Sequence, residues 1–210
     1  METDDILVLG IGNLLWGDEG FGVRCVEAMN ERYEFPANVR LTDGGTQGLY
    51  LLPLVQSARR MMVFDAVDYR VAPGSLKVVW NDEVPSFLGA NKMSLHQVGF
   101  QEVLALAKLG GRCPAEMVLI GVQPEDMSDF GGSLRPCVKA RLPEVLGIGL
   151  DILARWGAPG RPRGTPGESV LPEAGGLSLA AYEAGRPSPE EACRLGDARF
   201  LNLRHDIENR

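Results

Sequence analysis

An apolar run, Ile6 to Leu9, opens directly into Gly10-Ile11-Gly12-Asn13-Leu14-Leu15-Trp16-Gly17-Asp18-Glu19-Gly20-Phe21-Gly22. This junction constrains the fold more than any other stretch. The run has the length and apolarity of a buried strand. Glycines without a Cβ let the backbone turn sharply and approach its neighbours closely. Helical spacing of apolar residues begins at Gly22, so the segment is a strand, a tight turn and a helix start. Nucleotide-binding turns of this kind aim glycine and helix N–H groups at phosphate. Here Asp18 and Glu19 stand where the helix begins. The turn presents negative charge, which suits a cation or a metal-bearing partner rather than phosphate.

The pattern repeats along the chain. Apolar runs at Ile6–Gly10, Val39–Thr42, Met61–Phe64, Leu76–Trp80 and Met117–Val122 alternate with helical spacing at Gly22–Glu31, Leu49–Gln56 and Val98–Leu109. A last helix is expected over about Val138–Trp156, with Pro143 near its first turns. Alternation of this kind predicts an α/β three-layer sandwich, a mainly parallel sheet with helices on both faces. Ligands in such folds sit beyond the carboxyl ends of the strands. The Asp- and Gly-bearing segments after the first three runs fall at that edge.

Composition narrows the partners. The net charge of −7 argues against a nucleic-acid surface or an anionic membrane. No apolar stretch reaches the roughly 18 residues of a membrane span, and the acidic start Met1-Glu2-Thr3-Asp4-Asp5 is no secretory signal. A cytoplasmic protein is expected. The cysteines, Cys25, Cys113, Cys137 and Cys193, are scattered without Cys-x-x-Cys spacing, so they predict buried thiols rather than a thiolate zinc site or a redox pair.

Few residues are left to carry chemistry. The two histidines are His96, at an expected helix start capped by Ser94, and His205 near the end. Glu19 follows the first strand, and Asp65 closes the third in Val63-Phe64-Asp65-Ala66. A carboxylate at the end of a buried strand needs a partner, because an unpaired buried charge is costly. Glu19, Asp65 and His96 together would offer a cation two oxygens and one nitrogen, although spacing alone also allows them to lie apart. Asp43 closes the second strand in Asp43-Gly44-Gly45-Thr46; it reads either as a turn residue or as a carboxylate beside the same cleft. Asp68 is read as a turn residue. Gly-x-Ser-x-Gly, His-Glu-x-x-His and P-loop sequences are absent. A dinucleotide fingerprint is met only in part, since Leu15 stands where its third glycine belongs.

In order, Gly10-Ile11-Gly12-Asn13, Gly17-Asp18-Glu19-Gly20-Phe21-Gly22, Asp43-Gly44-Gly45-Thr46, Phe64-Asp65-Ala66, Ser94-Leu95-His96, Leu119-Ile120-Gly121-Val122-Gln123-Pro124 and Gly131-Gly132-Ser133-Leu134 resemble the nickel-iron hydrogenase maturation endopeptidases. The resemblance covers about the first 156 residues. It implies a five-stranded sheet between helices. It also implies removal of a C-terminal extension from the hydrogenase large-subunit precursor after nickel insertion, with the cut following a basic residue beyond the last metal-binding cysteine pair. The family's metal-binding residues fall on Glu19, Asp65 and His96, and the Asp of its Asp-Gly-Gly-Thr segment falls on Asp43; with no other nucleophile or base in view, Asp43 is read as a general base or substrate contact, and the chain as an aspartyl protease. The nickel would be borne by the substrate, with zinc or cadmium able to substitute in the site; hydrogenase assembly chaperones are further expected partners. The two rival readings are a non-catalytic nickel metallochaperone or docking factor, and a nucleotide-binding α/β protein.

The expected organisation is a protease domain over 1–156, a flexible Pro/Gly-rich linker over 157–170 and an appendage of short helices over 171–210. Helices are expected at Leu177–Ala184 and Pro189–Leu195, the second capped by Ser188. Tyr182, Leu195 and Phe200 make the appendage less polar than a solvating tail, so it is expected to dock in cis or in trans. Its sequence from Leu177 to Phe200 resembles that of the subgroup serving uptake or membrane-bound hydrogenases. His205 is read as a surface residue.

Overall fold

The computed structural model describes residues 5–90, 95–165 and 178–186, with the side chains at 87–90 and 95–98 outside that description. The sheet is built from β1 (Ile6–Ile11), β3 (Val39–Gly45), β4 (Arg60–Ala66), β5 (Leu76–Trp80) and β6 (Glu116–Val122). Its order is β3-β1-β4-β6-β5. The first four are parallel, and β5 closes the edge antiparallel to β6. The helices are α1 (Phe21–Arg32), α2 (Leu52–Ser57), α3 (Glu83–Ala90), α4 (Leu95–Leu109), α5 (Pro136–Lys139), α6 (Leu142–Arg155) and α7 (Leu179–Ala184). This is the expected three-layer α/β architecture.

Strand alternation divides the core. Ile6, Val8, Met62, Phe64, Val118 and Ile120 meet Phe21, Val26 and Met29 of α1 and Val145, Ile152 and Leu153 of α6. Leu7, Leu9, Met61, Val63 and Leu119 meet Val55 of α2, Val84 of α3 and Phe100, Val103 and Leu104 of α4. Strands buried on both faces are continuous apolar runs, which is why they stood out in the sequence. Each fully buried Leu, Ile or Phe contributes on the order of 1.5–3 kcal/mol.

Several local expectations are corrected. Helix α3 was not anticipated, because Pro85 and Gly89 disguise it; Pro85 lies in its first turn, where a missing N–H costs nothing. The segment Leu49–Gln56 divides into a 3-10 turn, Gly48–Leu51, followed by α2. The last helix divides into α5 and α6, with Pro143 in the opening turn of the second.

The Pro/Gly-rich stretch after Trp156, expected to be flexible, is held against the domain at its start. Ala158 is fully buried. A short strand β7 (Arg161–Pro162) pairs antiparallel with β2 (Tyr33–Glu34). The physical reason is the end of α1, whose last carbonyls need donors. Arg163 supplies them, its Nε donating to the carbonyls of Asn30 at 3.0 Å and Tyr33 at 2.9 Å and its backbone N–H to Arg32 at 2.8 Å.

Helix α7 docks in cis. Ser178 caps it, accepting from the Ala181 N–H at 3.3 Å. The Tyr182 ring lies 5.5 Å from the Arg24 guanidinium on α1, and Glu183 accepts from Lys139 at 2.6 Å and from Ser133 at 2.8 Å. The expected Ser94 cap, the helix Pro189–Leu195 with its Ser188 cap, and Cys193, Leu195, Phe200 and His205 lie outside the described residues.

Candidate active site

The turn after β1 is dictated by its glycines. Gly12 has φ +134°, and a Cβ there would sit 1.8 Å from the Glu19 carbonyl oxygen. A Cβ on Gly22 would sit 2.1 Å from the Phe64 carbonyl and 2.3 Å from that of Ile11. Helix α1 therefore starts directly on the sheet, and a 3-10 turn, Gly17–Gly20, leads into it at the carboxyl edge. These glycines are filled by the protein's own backbone, so none is left as a cradle for a pyrophosphate, which counts against the nucleotide-binding reading.

The two acids of this turn have different fates. Asp18 is fully buried. Its Oδ2 accepts from the N–H groups of Glu125 at 2.8 Å and Asp126 at 3.0 Å, and its Oδ1 from that of Arg135 at 2.7 Å. It ties the β1 turn to the loop after β6. Sequence reading missed this role, because the partners lie more than a hundred positions away. Glu19 is half-buried beside it, its N–H donating to the Trp16 carbonyl at 2.9 Å.

Asp65 is fully buried at the penultimate position of β4, paired in register with Gly121. Its neighbours Phe64 and Ala66 belong to the α1 face of the core. Alternation therefore directs Asp65 to the α4 face. Tyr69 covers Gly121 so closely that a Cβ there would meet its hydroxyl at 1.9 Å. Burial, and then the charge of Asp65, push the Tyr69 hydroxyl pKa up. Tyr69 thus belongs to the setting of Asp65, which its position in a loop did not disclose.

Helix α4 covers the same face through Phe100, Val103 and Leu104. Gly99 packs on Gly48, in the turn that follows β3, so the first turn of α4 stands at the carboxyl edge. His96 is in that first turn; its side chain lies outside the described residues. Among the described residues no three His, Cys, Asp or Glu side chains gather at metal-binding spacing. The fold thus brings Glu19, Asp65 and the helix start carrying His96 to one edge, and the donors it describes are carboxylate oxygens.

Asp43 stands differently. Val39 and Leu41 of its strand pack on the α1 face, and alternation places Asp43 there too. Its Oδ1 is buried without a hydrogen-bond partner. Burial raises its pKa, the Gly45 N–H lowers it, Glu27 raises it and Arg24 lowers it. Arg24 and Glu27 are themselves paired at 2.8 Å on α1. Asp43 and Asp65 therefore close neighbouring parts of the edge from opposite faces rather than lining one wall. Asp68 is a turn residue as expected, accepting from the Arg70 N–H at 2.9 Å and from Gln123 Nε2 at 3.0 Å. Both bonds, the Gln123 one first, lower its pKa.

Cys25, Cys113 and Cys137 are free thiols; Cys25 is fully buried with its pKa raised by burial, whereas Cys113 and Cys137 are only half-buried, contrary to the expectation of buried thiols. Among the described residues no helix is long and apolar enough to cross a membrane.

Residues 23–152 match the family model described as hydrogenase maturation protease. The chain is 58% identical over 201 residues to the hydrogenase expression/formation protein HoxM of Azotobacter vinelandii, covering 96% of each chain. It is 40% identical over 159 residues to the hydrogenase 2 maturation protease of Escherichia coli, covering 75% of this chain and 96% of that one. The solved structure of the hydrogenase maturating endopeptidase HybD from E. coli superposes with a TM-score of 0.72 at 38% identity, covering 76% of this chain and 98% of that one. A peptidase fold with its carboxylates at the carboxyl edge and a matching sequence along most of its length has one reading: the chain belongs to the hydrogenase maturation protease family, whose members are endopeptidases.

Proposed function

We propose that this endopeptidase removes the C-terminal extension of a nickel-iron hydrogenase large-subunit precursor once nickel is in place, and that Glu19, Asp65 and His96 receive the nickel carried by that substrate. The observation that carries the reading is the fully buried Asp65 at the carboxyl edge, on the face covered by the helix whose first turn holds His96. Two carboxylates and one imidazole fit a divalent cation with positions left for substrate or water. Lacking thiolates, such a site holds nickel more weakly than a substrate's cysteines and so tests for the metal without removing it; zinc or cadmium would substitute.

The metal's role is assigned to positioning the substrate. Asp43 is assigned to contact with the substrate beside the scissile bond, or to proton abstraction there. Its orphaned Oδ1 and raised pKa suit either task. Free thiols at all described cysteines favour a cytoplasmic site of action.

The test is incubation of the purified chain with nickel-loaded precursor, followed by intact mass measurement. Loss of the C-terminal peptide is expected. Nickel transfer or stable complex formation without peptide loss would instead favour the metallochaperone reading.

A further inference from the structure

A chain of short contacts joins the docked tail to the turn that carries Glu19. Asp129, in the loop after β6, is buried with its side chain only 2% exposed. Its Oδ2 meets the guanidinium of Arg186, just past α7, at 3.1 Å and that of Arg135 at 3.3 Å. Arg135 also holds Asp126 through its side chain and Asp18 through its N–H. Next to Asp129, the half-exposed Phe130 packs edge-on against Trp16, ring centroids 5.2 Å apart. The Gly131 N–H donates to the Leu15 carbonyl at 2.7 Å. Leu15, Trp16 and Phe130 form an exposed apolar rim beside Glu19.

We propose that Arg186 is a positioning residue for precursor docking: the tail straps the loop after β6 against the Glu19 turn, and so fixes the Trp16–Phe130 rim on which the precursor's C-terminal region seats. The role rests on the endopeptidase reading above. Four contacts secure the strap within five residues: Tyr182 on Arg24, Glu183 on Lys139 and on Ser133, and Arg186 on Asp129. Asp129 is the sensitive point. Arg186 is one of the cations set directly on this buried carboxylate, and removing a cation from a buried ion pair is costly. The loop is then free to move away from Trp16. The strap stands apart from the bond-breaking step, since the E. coli maturation protease matches only a stretch about as long as the sheet domain. The A. vinelandii relative matches through the tail as well. Loss of the strap should therefore weaken docking and spare turnover.

The experiment compares the full chain with Arg186→Ala and Arg186→Lys in two measurements. In hydrogen exchange, Arg186→Ala should raise the exchange rates of the Gly131, Gly132 and Arg135 amides on the order of tenfold and leave those of β1, β4 and β6 unchanged. In steady-state processing of the nickel-loaded precursor, KM should rise on the order of tenfold with kcat within about twofold. Arg186→Lys should recover part of both. Unchanged exchange in the loop overturns the strap. Loosened exchange with an unchanged KM, or a loss carried by kcat, overturns its part in docking. If the wild-type chain cleaves no precursor, the endopeptidase reading fails, while hydrogen exchange still decides whether the strap exists.

Discussion

On the α1 face, helix and sheet meet backbone to backbone: a Cβ on Gly10 would lie 2.4 Å from the Gly22 carbonyl oxygen, and one on Gly22 would lie 2.1 Å from that of Phe64. On the α4 face the corresponding approach is Gly99 on Gly48, where an added Cβ would rest 3.4 Å from its neighbour, close to ordinary contact. The first face has no room to adjust. The second holds Asp65, Tyr69 and the start of α4. The contrast teaches that the glycine motif after β1 serves the fold first. It locks α1 down so that the 3-10 turn and Glu19 are delivered to a fixed position at the edge. Asp18 repeats the lesson beside Glu19, since its carboxylate is consumed by three backbone N–H groups.

The sharpest way to break this comparison is to make one change on both faces. Gly22→Ala is expected to destabilise by about 3 kcal/mol or more in urea unfolding, because the obstructing atoms are backbone and cannot rotate away. Next in size, Asp18→Asn is expected to cost about 1–3 kcal/mol. An amide replaces one of two accepting oxygens and turns its NH2 toward a backbone donor. Glu19→Gln should leave stability within about 0.5 kcal/mol, so a comparable loss there would erase the distinction between the two acids.

A pH series sharpens the α1 face. Burial raises the Asp43 pKa, so the folded chain holds this proton more tightly than the unfolded chain does. Stability contributed by the protonated form is complete below the unfolded value near 4 and is lost as pH rises through the raised folded value. Asp43→Asn has no such loss. Its Tm should therefore gain on the wild type between about pH 4 and neutrality, with the difference constant below that range. A constant difference throughout would contradict the burial of Asp43. Gly99→Ala, the counterpart of Gly22→Ala on the other face, is expected to leave stability unchanged or raise it by up to about 1 kcal/mol through helix propensity. A loss like that of Gly22→Ala would show both faces equally tight.

The sheet was legible because its strands are apolar on both faces, and the turn because glycine and acid alternate where strand gives way to helix. Glu19, Asp65 and Asp43 were found as strand-end carboxylates. The opposite orientation of Asp43 and Asp65 also follows from alternation, once strand register is known. What sequence could not disclose depends on long-range contact. Asp18 acts on residues 125, 126 and 135, Tyr69 matters by folding over Gly121, and Arg161–Pro162 become a strand only when the chain returns to Tyr33–Glu34. A two-residue ribbon carries no periodicity to read. Proline and glycine in that stretch indicated the absence of helix, and flexibility did not follow from it.

The central claim is that Glu19 and Asp65 act as one site at the carboxyl edge, together with His96. It is tested most directly by following loss of the precursor's C-terminal peptide by mass spectrometry for Glu19→Gln, Asp65→Asn and the double variant, with the Tm of each measured alongside. Each single variant is expected to lose on the order of 100-fold or more in processing rate while remaining folded, and the double variant to be little worse than the worse single, because groups that act as a unit give non-additive losses. Wild-type processing by either single variant, or losses that multiply in the double, would contradict a shared site.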